Sequence, residues 1–310
     1  MKYIMSADEK FQMMTNTPVE KLICTLAAPT IASMLITSVY NMADTFFVSK
    51  ISTSASGAVG VAFSLMSIIQ AIGFTIGMGS GNFISRLLGQ RDREYAGKVA
   101  ATGFFTALFL GAALATVGFI FLDSLVYSLG ATPTIAPYAK DYIKYILLGA
   151  PFMIASFVLN NILRYQGSAF FSMIGIGIGG ILNIILDPIF IFSFNMGTAG
   201  AAIATIISQF ISFNILYHNS AKGGNIKIKF SNFTPKWEIY KQILKGGMPS
   251  FYRQILGSAA MICMNFSAGV YGDAAVAAMA IVTRVFQFGI SVMIGFGQGF
   301  QPVCGFNYGA

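Results

Sequence analysis

Eight apolar runs dominate the sequence, and each is long enough to cross a lipid bilayer. They are Leu22–Val48, Gly57–Ser85, Val99–Leu122, Tyr142–Leu163, Ala169–Phe194, Thr198–Tyr217, Gly247–Val270 and Ala274–Gln301. A spanning helix needs about 20 apolar residues. Inside lipid every backbone N–H and C=O must be paired, which leaves helices or closed barrels. These runs are too long and too continuously apolar for barrel strands, so the chain is expected to be an all-α membrane protein, a polytopic helical bundle.

Composition agrees where it bears on the solvent. Only 10% of the residues are charged, against about a quarter in soluble domains. The 33 glycines suit close helix approach in membranes. The net charge of +8 could suggest a nucleic-acid partner, but the charges fall in short clusters between the apolar runs and describe topology instead. With the N-terminus inside, the segments on the outer side hold only Lys50, Lys140 and Lys144 of the 19 Lys and Arg, and Arg253 and Arg284 lie within spans. Arg164 and the remaining basic residues are therefore counted at the inner surface, which implies a multi-pass protein with a cytoplasmic N-terminus. Cys24, Cys263 and Cys304 sit in apolar surroundings without paired spacing, so neither a disulfide framework nor a zinc site is expected. The first apolar run is too long for a signal-peptide core.

An internal repeat organises the runs. AAPT (27–30) resembles GMPS (247–250), and GMGSG (77–81) resembles GFGQG (295–299), at offsets of 220 and 218. Spans seven and eight thus read as the start of a second copy of a six-helix unit. An even number of spans makes the copies parallel repeats. The expected organisation is a complete six-helix lobe (1–218), a cytoplasmic linker (219–245) and two helices of a second lobe (246–310), with further C-terminal helices expected beyond them. Within the linker, TPKWEIYKQILKGG reads as an amphipathic surface helix that Gly246 stops.

Residues 183–190, NIILDPIF, carry the chemistry. Asp187 is the only charged residue between Tyr165 and Ala221, and Pro188 follows it. Intramembrane acids are costly and point to function. Asp44 lies 23 residues after Lys21, and Asp187 lies 23 residues after Arg164. At about 1.5 Å per residue the two acids reach one depth, in the outer half of the membrane. Asn183 shares the helix face of Asp187, Thr205 lies near the same level, and Pro188 frees carbonyls and supplies a hinge. Removal from water and a second carboxylate each favour a protonated acid. The pocket can then bind a proton, or ligate sodium through Asp44 and Asp187.

The stretches LAAPTIASMLITSVYNMADTFFVS, GMGSGNFISRLLGQRDREYAGKV, NNILRYQG, ILNIILDPIFIF, GTAGAAIATIISQ, GMPSFYRQ and GFGQGFQPVCGFNYGA resemble, in order, the multidrug and toxic compound extrusion (MATE) transporters, in their prokaryotic DNA-damage-inducible-F-like branch. The resemblance implies two six-helix lobes around a cavity in a bacterial or archaeal cytoplasmic membrane. It implies a monomer that exports organic, often cationic, small molecules against proton or sodium entry, with no other cofactor. It assigns ion coupling to the positions matching Asp44, Asn183, Asp187 and Thr205, and adds Tyr142, Asn160 and Pro29. Asn160, four residues before Arg164, reads from position alone as nearer the inner face.

Other readings are weaker. GIGIGG (175–180) has the spacing of a dinucleotide loop but no strand before it, and Gly175 and Gly179 read instead as helix packing. An intramembrane aspartyl protease needs a Gly-x-Gly-Asp context, whereas these acids sit in NMAD and IILD. No enzyme is expected. A lipid-linked precursor flippase of the same superfamily is the closer rival, resting on Arg253 and Arg284.

Overall fold

The computed structural model describes residues 5–223, 226–269 and 273–310, and among them the chain is helical without a strand. Helix α1 (Ala7–Asn16) opens on a capping box in which Ser6 and Glu9 satisfy each other's backbone N–H groups. There follow α2 (Val19–Ser49), α3 (Thr53–Gly89), α4 (Arg93–Ile120) and the short α5 (Leu122–Ser128). Next come α6 (Ala136–Tyr165), α7 (Ala169–Pro188) with a π-helical turn over Ile189–Ser193, and α8 (Gly197–Gly223). The chain then continues in α9 (Trp237–Gly269) and α10 (Asp273–Gly309). Among the described residues α2, α3, α4, α6, α7 with its π turn, and α8 are long and apolar enough to cross a membrane. The expected seventh and eighth spans fall on α9 and α10, with residues 270–272 between them outside the described residues.

Two of the spans start ahead of their apolar runs because polar residues cap them. Ser52 accepts from the Ala55 N–H at 3.0 Å, and Asp92 accepts from the Tyr95 N–H at 3.0 Å, so α3 and α4 begin outside the apolar runs. Helix α6 is the most buried of the six spans. It packs against α3, α4, α7 and α8 and forms the axis of the α2–α8 bundle. The end of the bundle that carries α1 is termed the inner end below.

Three sequence expectations change. Gly246 does not stop a surface helix: α9 runs unbroken from Trp237 through Gly246, Gly247 and Pro249. The boundary drawn at 245/246 therefore falls inside one helix. The two glycines serve packing instead, since a Cβ on Gly246 would lie 3.2 Å from the Gly79 Cα in α3. Arg164 is not a surface charge, being only 1% exposed where α6 meets α10. Helices α1 and α5, too short to register as apolar runs, were not anticipated.

The glycine motifs hold the α9–α10 pair against the bundle at its inner end. GMGSG in α3 faces Gly246 and Gly247 of α9, while Gly295 and Gly299 of GFGQG in α10 face the backbone of Ile31 and Ala27 in α2. Each copy's glycine motif thus meets the other copy's first span. Gly175 and Gly179 pack against Leu216 and Ser212 of α8, and Ser212 donates to the Gly175 carbonyl at 2.9 Å. This is close helix packing, not a phosphate loop.

Candidate functional site

Helices α2 and α7 both leave the inner end and run side by side, and their contacts bracket the two acids. Toward the inner side of the acids a Cβ on Gly180 would touch Ile36 at 2.9 Å and Tyr40 at 3.1 Å. Beyond them Phe47 meets Phe192, with ring centroids 6.5 Å apart. Asp44 lies between Tyr40 and Phe47, and Asp187 between Gly180 and Phe192, so matched helical rise sets them level. The two carboxylates interact electrostatically across the gap.

Asn183, one turn before Asp187, donates to Asp187 Oδ1 at 3.1 Å and reaches Thr205 Oγ1 of α8 at 3.4 Å. Thr205 in turn donates to the Ala201 carbonyl at 3.0 Å. Tyr142 of α6 closes the fourth side, fully buried, within the field of both acids and of Tyr40. Its hydroxyl faces Thr205 without forming a hydrogen bond, and Asp44 Oδ1 and Asp187 Oδ2 are likewise buried without a partner. An unsatisfied buried polar group costs about 1–3 kcal/mol. Three such atoms, on α2, α6 and α7, act on one another electrostatically, and a bound proton or small cation would answer the unmet carboxylate oxygens. Among the described residues no three His, Cys, Asp or Glu side chains gather, so the donors available to an ion are the oxygens of Asp44, Asp187, Asn183 and Thr205.

Pro188 stands directly after Asp187 and cannot donate to the Ile184 carbonyl. The α-helix ends there and the chain widens into a π turn, closed by Phe194 N–H donating to the Ile189 carbonyl at 3.0 Å. Pro removes a helical donor, and π turns mark helices that depart from regular geometry at functional positions. The turn lies against α8, where a Cβ on Gly200 would come within 2.7 Å of the Phe190 carbonyl oxygen.

Two of the residues added by resemblance are placed elsewhere. Asn160 donates to Ser172 at 2.5 Å, and Ser172 lies 15 residues before Asp187 on α7, about 22 Å along the axis at 1.5 Å per residue. Pro29 sits equally far from Asp44 along α2, beside Thr30, whose hydroxyl donates to the Gly295 carbonyl of α10 at 2.6 Å. Neither belongs to the carboxylate pocket; both flank the inner end. Tyr40 was missed, although its place one turn before Asp44 puts it on the same face. Arg253 is exposed on α9, and the Arg284 side chain lies outside the described residues.

The MatE family model matches residues 29–189 and 249–310, which is more than half of the chain and includes both acids. The chain belongs to the MatE family. It is 30% identical over 305 residues to the multidrug export protein MepA of Staphylococcus aureus strain MRSA252, covering 97% of this chain and 67% of that protein. The MepA protein of Staphylococcus haemolyticus is 29% identical with the same coverage. Among solved structures, a MOP superfamily transporter from Pyrococcus furiosus, described as having a binding pocket of reversed polarity that suggests a different function, superposes with a TM-score of 0.90 at 32% identity. It too covers 97% of this chain and 67% of that one. An outward-facing multidrug resistance MATE transporter superposes with a TM-score of 0.91 at 32% identity and the same coverage. MatE membership makes the chain a multi-pass membrane transport protein, not an enzyme.

Proposed function

We propose that this MatE protein exports lipophilic, often cationic, organic compounds across a prokaryotic cytoplasmic membrane by alternating access, driven by entry of a proton or sodium ion bound at Asp44 and Asp187. The observation that carries the reading is the pair of level carboxylates on α2 and α7, each with a buried oxygen that lacks a hydrogen-bond partner. Multidrug export by the similar MepA proteins supports the substrate class. Lys and Arg placement supports a cytoplasmic N-terminus, and the repeat supports a first lobe of α2–α8 opposed by a second lobe that begins with α9.

A single cycle follows from electrostatics. An ion or proton at the pocket neutralises one acid and completes the orphaned oxygens, allowing α7 to tighten around Asn183 and Thr205 with the π turn after Pro188 as the flexing element. A cationic compound favours the ionised pair and so competes with the coupling ion. A ligand shifts such an equilibrium only by its differential affinity for the two states, and here the differential lies in the charge of the pair.

The test adds a lipophilic dye cation to the purified protein in weak buffer with a pH indicator. Proton release is expected on binding and is expected to vanish in both Asp44→Asn and Asp187→Asn. Binding without release, abolished by sodium, would assign the pocket to sodium. Release that persists in both variants would sink the carboxylate reading.

A further inference from the structure

A second polar cluster lies at the inner end and has no part in the carboxylate pocket. Arg164, in the last turn of α6, directs one guanidinium nitrogen to Gln298 Oε1 of α10 and donates from the other to Asn161 Oδ1 at 2.6 Å. Its neighbour Tyr165 donates to Gln301 Oε1 of α10 at 2.7 Å. Gln298 and Gln301, three residues apart, lie on one face of α10. Arg164 is 1% exposed, its Nε has no hydrogen-bond partner, and it forms no ion pair among the described residues.

A buried guanidinium without a carboxylate carries a desolvation cost that neutral hydrogen bonds offset only in part. The C-terminal end of α6 contributes some compensation, because its carbonyls favour a cation. The contact is consequently poised. Parting α10 from α6 breaks the Gln298 and Gln301 bonds but readmits water to Arg164. A carboxylate in place of Gln298 would remove that balance and hold the helices together.

Resting on the alternating-access reading above, we propose that Arg164 and Tyr165 of α6, with Gln298 and Gln301 of α10, form the inner gate of the transporter. The neutral glutamine partners keep the closed state weak enough to open. Adjacent contacts bridge the same seam: Thr30 to the Gly295 carbonyl, and Gln298 against Met34 Sδ at 3.9 Å. Opening therefore separates α10 from α2 and α6 together.

The test places spin labels at Glu94→Cys on α4 and Tyr308→Cys on α10, both exposed at the inner end, after replacing the three native cysteines with serine. Distance distributions are read in lipid nanodiscs. Gln298→Glu is expected to collapse the distribution onto its shortest component and to slow dye transport ~tenfold, the scale of a typical coupling between sites, with dye binding retained. Arg164→Gln is expected to shift the distribution to longer distances. Distributions that match the parent in Gln298→Glu, or broaden there, overturn the gate, and this holds even if Arg164→Gln fails to fold. A parent protein that moves no dye would count against the export reading alone, because the distances are read without transport.

Discussion

The Asp44–Asp187 pocket and the Arg164 contact bury opposite charges at opposite ends of one bundle, and they differ in who their neighbours are. The acids sit on adjacent parallel helices inside the α2–α8 bundle, where Gly180 below and the Phe47–Phe192 pair beyond hold them in place. Their unmet oxygens call for a cation from outside the protein. Arg164 instead finds its partner on α10, across a seam built from backbone-to-backbone glycine contacts. A charge waiting for a ligand belongs within one bundle whose helices stay together, whereas a charge whose partner leaves belongs at a seam that can part.

The largest effect on this contrast is expected from the seam. In Gly299→Val a Cβ would fall 2.5 Å from the Ala27 Cα. Overpacking of this kind costs about 1–3 kcal/mol or more, and here the clash is with backbone that cannot rotate away. The inner label distance should lengthen and the melting temperature fall, while Gly297→Ala, with nothing within 4 Å, should leave both unchanged. Equal effects from the two substitutions would mean that the Gly299–Ala27 approach does not hold the seam.

A smaller effect is expected from Pro188→Ala, which restores a donor toward the Ile184 carbonyl. A proline within a helix costs roughly 3 kcal/mol, part of which the π turn already absorbs. The variant should be the more stable to thermal unfolding and should transport several-fold more slowly, with the inner label distance unmoved. A change in the inner distance would mean that pocket and gate are one mechanical unit.

The smallest effect concerns α1, which ties the inner end from outside. Asp8 pairs with Arg93 at 2.5 Å, Asn307 of α10 donates to the Met14 carbonyl at 3.2 Å, and Lys10 donates to Ser168 at 2.5 Å. Burial pushes the Lys10 ammonium down from its ordinary 10.5 to about 8. Released α1 returns Lys10 to its ordinary value, so between those two values the released form holds more protons than the docked one. Docking should therefore strengthen as pH rises through that window and lose this contribution below it. Hydrogen exchange of α1 amides, corrected for intrinsic rates, should show added protection from about pH 8 to about pH 10 that Lys10→Met abolishes. A flat profile in the parent would detach α1 from the seam.

Much of the pocket could be read in advance from local rules. Equal spacing from Lys21 and Arg164 set the acids level, and Asn183 and Pro188 followed from helical period and proline chemistry. Tyr40 was equally readable, one turn before Asp44. Asn160 and Pro29 were carried by resemblance into a pocket that helical rise keeps them from reaching. Gly246 was misread because glycine both ends helices and lets them touch, and only the neighbour Gly79 tells which.

By itself the sequence determined the spans, the repeat, the clustering of charge between spans and the matched level of the two acids. The spans and the charge between them follow from the cost of placing polar groups in lipid. The level of the acids follows from helical rise and the repeat from self-similarity, all of them read residue by residue along the chain. The tertiary structure alone decided that Arg164 is buried, that Gln298 and Gln301 receive α6, and that the glycine motifs face across the seam. Those contacts join residues more than 100 positions apart, and no local period or propensity carries the information about which helix arrives beside which.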